Sequence, residues 1–285
     1  MPNTSHFISS GLSAKQTSKK FLGQDRNFDG LAERFKRKIY GGLKGDIRIA
    51  ILQRDLFEHV LKADQKNKLR ILDAGGGQGQ FSLILAALGH HVTLCDISAD
   101  MLALAAEDVK SRGLEKHVEL RHESIQYLAE CVSQVDSGFL PFDLVLCHAV
   151  MEWVMDPELL LKNLTSLVSH DGYLSLTFYN ENSVIMKNLL RGNFERVTQK
   201  DFVGFPGSLT PTQPLAPERV YNWFARLPLE ILCKSGIRCF HDYILDPKIP
   251  QQSTEELMTL EMQLSQQEPF LSMARYIHIL SKRTL

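Results

Sequence analysis

Three glycines at alternate positions, Gly75, Gly77 and Gly79, follow the apolar run Leu69-Arg70-Ile71-Leu72-Asp73 and precede a helical stretch through Leu83, Ala86, Ala87 and Leu88. A backbone without Cβ atoms can turn tightly there and approach a ligand closely. A dinucleotide-binding turn uses G-x-G-x-x-G to hold a pyrophosphate at a helix N-terminus. This loop instead reads G-x-G-x-G, with Asp73 just ahead of it. A carboxylate in that place repels phosphate and attracts a cation. S-adenosylmethionine (SAM) carries no phosphate, and its sulfonium and amino group are both cationic. Asp96 ends the next apolar run, His91-Val92-Thr93-Leu94-Cys95-Asp96, where a carboxylate can accept hydrogen bonds from both ribose hydroxyls of an adenosine. Asp73, Gly75, Gly77 and Asp96 therefore predict a SAM site, with a nicotinamide cofactor as the rival reading.

The elements that must position these residues follow from the spacing of apolar residues. Short apolar runs at Leu69–Asp73, His91–Asp96, Val118–Arg121, Phe142–His148 and Tyr173–Phe178 read as strands. Between them, Ala99–Lys110 and Pro157–Val168 read as helices, the latter with proline at its favoured first turn. Strands alternating with helices predict an α/β fold, a doubly wound and mostly parallel sheet with helices on both faces. Ligands of such sheets bind at the C-terminal ends of the strands. His148 ends the fourth strand at that edge, where a satisfied core histidine and a ligand contact are both open readings. Two late strands, Ile237–Ile244 and Arg275–Ser281, with a helix at Ser253–Gln267 between them, would complete a seven-stranded sheet. Asp171-Gly172 resembles the turn that methyltransferases carry before the fifth strand.

Residues 25–65 read as an N-terminal helical cap, carried by Ile47, Ile51, Leu52, Leu56 and Val60, with Gly41-Gly42 and Gly45 marking a flexible turn before its main helix. Residues 180–216 read as a substrate-facing insertion: a short helical piece, then a long loop holding Pro206, Gly207, Pro211 and Pro214. Glu218–Leu227 reads as a helix. The expected organisation is one domain over 25–285 behind a flexible N-terminal extension at 1–24.

Bulk composition narrows the function classes. With 44% hydrophobic and 23% charged residues over 285 positions, the chain can bury a sizeable core. The formal net charge of -1 gives no global basic surface, so any contact with nucleic acid must be local. The 5 cysteines, Cys95, Cys131, Cys147, Cys233 and Cys239, form no C-x-x-C pair and no zinc-spaced cluster. No metal is expected, and the usage fits a reducing, cytoplasmic compartment. No apolar stretch approaches the roughly 18 residues of a membrane span, so no membrane partner is expected. The first 24 residues lack the apolar core of a signal peptide.

Several segments together resemble the bacterial tRNA 5-carboxymethoxyuridine methyltransferase family. They are Asp25-Arg26-Asn27-Phe28-Asp29, Ala32-Glu33, Phe35, Ile39-Tyr40-Gly41, Lys44-Gly45 and Arg48, then Leu72 to Gly77, His148-Ala149-Val150, Glu152-Trp153 and Phe178-Tyr179-Asn180. Gly192-Asn193-Phe194, Phe240-His241-Asp242-Tyr243, Glu268-Pro269 and Arg275-Tyr276-Ile277-His278 complete the likeness, which runs from about residue 25 to the C-terminus. Two features depart from it: residues 1–24 have no counterpart, and the 198–216 loop holds Lys200 as its only basic residue. The resemblance implies a class I methyltransferase fold, SAM as methyl donor, and conversion of wobble 5-carboxymethoxyuridine in a tRNA anticodon loop to its methyl ester. It implies SAM contacts at Arg48, Gly75, Gly76, Asp96, Ile125, Gln126 and His148, and no obligate protein partner.

The residues themselves leave some roles open. Arg48 reads either as a solvated helix arginine or as a partner for the methionine carboxylate of SAM. Asp73 reads equally as a brace for loop amides or as a ligand contact. Gln126 sits where many methyltransferases carry an acid against the adenine amino group, with Glu123 as its rival. Trp153 and Met151 read as pocket wall or core. Basic residues gather at Arg26, Arg34, Lys36, Arg37, Lys38, Lys44 and Arg48, and a second basic and aromatic group comprises Arg238, His241, Tyr243, Arg275 and His278. A substrate carboxylate is ionised at neutral pH and needs no general base. The expected device is a basic clamp, with Arg191, Arg196, Arg238 and Arg275 as candidates. Alternatives are methylation of a small carboxylic acid or quinone precursor, and a non-catalytic SAM-binding protein.

Overall fold

The computed structural model describes residues 25–35, 41–61, 67–134, 138–202, 209–211, 213–246 and 248–284. The extension at 1–24, the basic residues Lys36, Arg37 and Lys38, and Pro206 and Gly207 lie outside the described residues.

In chain order the elements are α1 (Ala32–Phe35), α2 (Leu43–His59), β1 (Arg70–Ala74), α3 (Ser82–Ala87), β2 (His91–Asp96), α4 (Ala99–Ser111), β3 (Val118–His122), α5 (Ile125–Ser133) and β4 (Phe142–His148). Then follow α6 (Pro157–Leu167), β5 (Val168–Tyr179), α7 (Glu181–Leu190), α8 (Phe194–Thr198), α9 (Pro217–Phe224), β6 (Leu229–Ile237), α10 (Ile249–Gln252), α11 (Thr254–Leu264), α12 (Phe270–Met273) and β7 (Tyr276–Arg283). The strands form one 7-stranded sheet in the order β3-β2-β1-β4-β5-β7-β6. β3 through β5 run parallel, and β7 lies antiparallel between β5 and β6.

Alternation along the central strands feeds two cores. Leu72 and Ala74 of β1, Val145 and Cys147 of β4, and Leu174, Leu176 and Phe178 of β5 pack on the face covered by α5, α6 and α9. Ile71, Leu144, Leu146 and Leu280 pack on the other face, under α2, α3 and α4. Both faces of β1 and β4 are buried, which is why these strands read as unbroken apolar runs. The chain moves outward from β1 to β2 and β3 and then returns to β4. That switch point leaves a crevice beyond the C-terminal ends of β1 and β4.

Three boundaries differ from the sequence expectation. The helix of the N-terminal region begins at Leu43 with Gly42 as its cap residue, and Gly45 lies buried inside the helix rather than in a turn before it. The sixth strand is Leu229–Ile237, not Ile237–Ile244. As an edge strand it carries Glu230 and Lys234, whose charges hide its strand pattern while discouraging further strand pairing. Beyond Ile237 the chain leaves the sheet because Arg238 takes a left-handed φ of 62°. The freed amides of Cys239, Phe240 and His241 then donate to the buried carboxylate of Glu261 at 2.6, 3.0 and 2.9 Å. A side chain on α11 thus replaces the strand ladder. Finally, β5 starts at Val168 and absorbs Asp171-Gly172 in a register shift against β4.

The Glu261 contact makes a stability prediction. Glu261→Gln retains the shape but offers one acceptor oxygen to three amides. Its unfolding free energy in urea is expected to fall by about 2 kcal/mol. An unchanged unfolding midpoint would mean that water satisfies these amides.

Candidate functional site

The loop after β1 passes directly over a buried carboxylate. Asp73 is 5% exposed, and a Cβ placed on Gly76 would lie 2.5 Å from its Cγ. Only glycine fits at that position. Gly75, at φ 68°, would likewise drive a Cβ to 2.8 Å from Val150 Cγ2. The amides of Gly75 and Gly76 donate to the carbonyl of Cys95, at 2.9 and 3.1 Å, so the loop is tied to the end of β2. Asp96 completes the tie: its Oδ2 accepts from the Gly77 amide at 2.9 Å and its Oδ1 from the Ser98 amide at 2.8 Å.

Both carboxyls are held above their ordinary range. Burial, opposed by a hydrogen bond from Ser82 Oγ at 2.6 Å and reinforced by nearby Asp96, pushes Asp73 up to about 6. Burial also raises Asp96, against the amides that donate to it. Asp73 therefore braces the loop through Ser82 rather than through loop amides. Two confined carboxylates are relieved by a cation and made worse by a phosphate. This is the physical basis for preferring a sulfonium and ammonium ligand over a dinucleotide.

Around the loop opens a cavity of about 1120 Å³, its mouth included, whose walls include Arg48, Asp73, Gly75, Gly76, Gly77, Asp96 and His148. A smaller hollow of about 360 Å³ shares Gly75 and Asp96 with it and adds Asp25, Glu123, Ile125 and Gln126. All nine residues expected at the cofactor thus meet around two adjoining hollows. Ile125 and Gln126 begin α5, whose N-terminus is capped by Ser124 Oγ. The side-chain nitrogen of Gln126 donates to Asp25 at 3.1 Å, which leaves its amide oxygen as the acceptor an adenine amino group requires. Glu123 lines the same hollow, so both rivals are present there. Arg48 comes from α2, enters the larger cavity and donates to Gln80 Oε1. It is not a solvated surface arginine. The donor set, the carboxylates and the glycine cradle all suit SAM.

The clamp candidates separate. Arg238 lines the cavity and pairs with Asp242 at 3.0 Å. Arg275 stacks over the Tyr179 ring at 4.6 Å. Burial alone would raise Asp242, yet Arg238, Arg275, Lys187 and Lys44 hold it down at about 2. Four cations therefore surround one ionised carboxylate. Arg191 follows α7 on the exposed surface, within the field felt by Lys187. Arg196 donates through Nε to the Asp201 carbonyl and is not among the cavity residues. The expected second basic group also divides: His278 is fully buried, and Tyr243 donates to the Met273 carbonyl at 2.5 Å. Trp153 lines the cavity and Met151 is core, within the reading of pocket wall or core.

Gln80, Met101 and Leu209 join the walls without any sequence signal, since they come from loops and a helix end that carry no motif, and Asp25 joins them from the opening segment that carries the resemblance. Glu152 is a further surprise: it is fully buried, and burial pushes it up to about 8, so it is neutral at pH 7.

Comparison with known proteins agrees with this geometry. A family model described as a methyltransferase domain matches residues 65–225. The tRNA 5-carboxymethoxyuridine methyltransferase of Escherichia coli (strain K12) is 40% identical over 264 residues, covering 91% of this chain and 97% of that protein. The ubiquinone biosynthesis O-methyltransferase of Coxiella burnetii (strain Dugway 5J108-111) is 29% identical over 112 residues, 39% of this chain and 44% of that one. Among solved structures, the magnesium protoporphyrin IX methyltransferase of Synechocystis PCC 6803 with bound SAH superposes with a TM-score of 0.56 at 18% identity, over 90% of this chain and 96% of that chain. At that identity the last likeness is one of fold: a class I methyltransferase sheet.

Asp73 makes opposite predictions for stability and binding. Its folded value near 6 lies above the ordinary 3.8, so the folded state holds the proton more tightly than the unfolded chain. Stability is therefore lost as pH rises from 3.8 to about 6, and the loss persists above. Asp73→Asn removes that penalty. At neutral pH it is expected to gain about 1–3 kcal/mol of unfolding free energy in urea. SAM binding by calorimetry is expected to weaken at least about tenfold. A destabilised variant with unchanged SAM affinity would make Asp73 a structural residue only.

Proposed function

This chain belongs to the tRNA 5-carboxymethoxyuridine methyltransferase family, and from that premise we propose how its residues transfer a methyl group from SAM to the carboxylate of wobble 5-carboxymethoxyuridine in tRNA. The product is the methyl ester. The observation that carries the reading is the meeting, in one cavity, of cation-seeking carboxylates at the ends of β1 and β2 with Lys44 of α2 and Arg238 beyond β6, two of the four cations gathered around Asp242. The first suits the donor and the second suits an anionic acceptor.

We assign Gly75, Gly76 and Gly77 to the loop that receives SAM, with Asp73 facing its cationic part and Asp96 its ribose hydroxyls. Ile125 and Gln126 hold the adenine, and Arg48 pairs with the methionine carboxylate. His148 forms the cavity wall between Arg48 and the strand ends. Burial, with the Arg48 guanidinium nearby, keeps His148 well below its ordinary value, so it stays neutral and does not repel the sulfonium. When bound, SAM supplies an electrophilic methyl group: the substrate carboxylate oxygen forms the new bond to carbon as the carbon–sulfur bond breaks and its electron pair goes to sulfur.

The protein's part is positioning and exclusion of water. The substrate carboxylate is already ionised, so no proton has to be removed. Arg238 and Arg275 hold it, each already braced, by Asp242 and by the Tyr179 ring. Outside the cavity, α7 and α8 expose Met186, Leu189, Leu190 and, at 64% exposure, Phe194. Beside Arg191, these residues offer an apolar platform with a cation, which suits unstacked bases of the anticodon loop better than a duplex. No helix among the described residues is long and apolar enough to cross a membrane. A tRNA substrate fits a cytoplasmic enzyme.

The test is mass spectrometry of nucleosides from tRNA bearing 5-carboxymethoxyuridine, incubated with the pure protein and SAM. A gain of one methyl on that nucleoside is expected. Arg275→Ala and Arg238→Ala are expected to lower kcat/KM for this tRNA about 100-fold, the cost of losing a charge-assisted clamp, with SAM affinity within about threefold of the parent. SAM binding without methyl gain would move the acceptor to a small carboxylic acid.

A further inference from the structure

A line of buried polar residues crosses the α2 face of the sheet. Where Leu144, Leu146 and Leu280 supply core, the neighbouring positions on the same face of β4, β5 and β7 are His148, Ser175 and His278. Asp55 of α2 lies over them. Asp55, Ser175 and His278 are fully buried. The contacts run without a break: Asp55 Oδ2 to His278 Nδ1 at 2.7 Å, His278 Nε2 to Ser175 Oγ at 2.9 Å, and Ser175 Oγ to His148 Nε2 at 2.8 Å. At the far end, Arg54 donates twice to Asp55 Oδ1, at 2.9 and 2.7 Å, and also to Ser235 Oγ and Ser265 Oγ, each at 2.8 Å.

The protons in this chain can be counted. Asp55 is ionised: burial would raise it, but His278, Ser235 and Arg54 hold it below its ordinary value. Its Oδ2 has no hydrogen, so His278 donates through Nδ1. Arg54 already neutralises Asp55, and a second positive charge at this depth would have no counter-ion. His278 is therefore neutral and its Nε2 accepts. Ser175 has a single hydrogen and spends it on His278, so its oxygen accepts from His148. His148 must then carry its proton on Nε2.

We propose that Asp55, Ser175 and His278 are positioning residues, a buried hydrogen-bond chain that fixes His148 as the Nε2–H tautomer and leaves its Nδ1 lone pair as an acceptor on the cavity wall. Resting on the cofactor assignment above, the group this acceptor suits is a cationic N–H donor, the α-ammonium of SAM. The opposite tautomer would turn a donor toward that ammonium. α2 serves both ends, since Arg48, Leu52 and Asp55 recur on one helical face and reach the cavity wall and the chain together.

The imidazole nitrogen spectrum of the ¹⁵N-histidine-labelled protein, free of ligand, tests the chain directly. A His148 signal with Nε2 protonated and Nδ1 bare is expected, and the reverse pattern overturns the proposal. Ser175→Ala should convert that signal to a tautomer mixture and weaken SAH binding about three- to tenfold, the worth of one hydrogen bond. Ser175→Thr, which keeps the hydroxyl, should restore both. An SAH analogue lacking the α-amino group should bind the parent and Ser175→Ala equally. Equal weakening for both ligands would make Ser175 merely structural and overturn the proposal. If Ser175→Ala does not fold, the parent spectrum decides. A parent protein that binds neither SAM nor SAH would sink the cofactor assignment, while the spectrum would still decide the chain.

Discussion

A carboxylate buried beneath a glycine is the constraint around which this molecule is arranged. Asp73 is locked in the end of β1, and the backbone at Gly76 crosses it with no room for a Cβ. That crossing needs a strand end that is rigid, which β2 and β4 supply from either side. It also needs a loop that is tied down, which Cys95 and Asp96 achieve through hydrogen bonds. The arrangement is unfavourable by itself, because two carboxyls close together in a poorly solvated place resist ionisation. A cationic ligand turns the same arrangement into an attraction. The fold thus stores an electrostatic preference at the one place where the sheet topology opens a crevice.

The C-terminal third of the chain completes what the parallel half begins. Without β6 and β7 the cavity would lack Ile237, Arg238 and Tyr276. Arg238 reaches it only because the chain leaves the sheet in a left-handed turn and Glu261 accepts the amides that the turn frees. The result is a division of charge within one cavity: acidic groups at the ends of β1 and β2, and Arg238 just beyond the end of β6. Methyl transfer from a sulfonium to a carboxylate neutralises a cation and an anion together. A site that holds each charge on its own wall, and excludes water between them, matches that requirement.

Much of this was legible in the order of residues. The alternation of apolar runs and helical stretches determined a doubly wound sheet, because strand and helix periodicities of two and 3.6 leave different marks on a sequence. The unusual glycine spacing, with Asp73 before it and Asp96 at the next strand end, favoured SAM through loop geometry and charge together, with a nicotinamide cofactor as the rival. The opening segment and the late Phe240 to Tyr243 and Arg275 to His278 motifs pointed to the family. The edge strand β6 escaped because its charged residues blur the alternation, and its true end depends on Glu261, a residue far along the chain.

The roles of single polar residues were decided only in three dimensions. His148 and His278 look alike in the sequence, each within an apolar run. One borders the cavity and the other is sealed inside the sheet, joined through Ser175 and anchored by Asp55. Arg238 and Arg196 are equally basic, yet one faces the cavity and the other holds a loop carbonyl. Periodicity and loop chemistry are local properties, so the sequence by itself determined the sheet and the glycine turn and favoured a cationic ligand. Hydrogen-bond partners and burial are set by segments brought together from up to 223 positions apart, as Asp55 and His278 are, and only the tertiary structure could decide them.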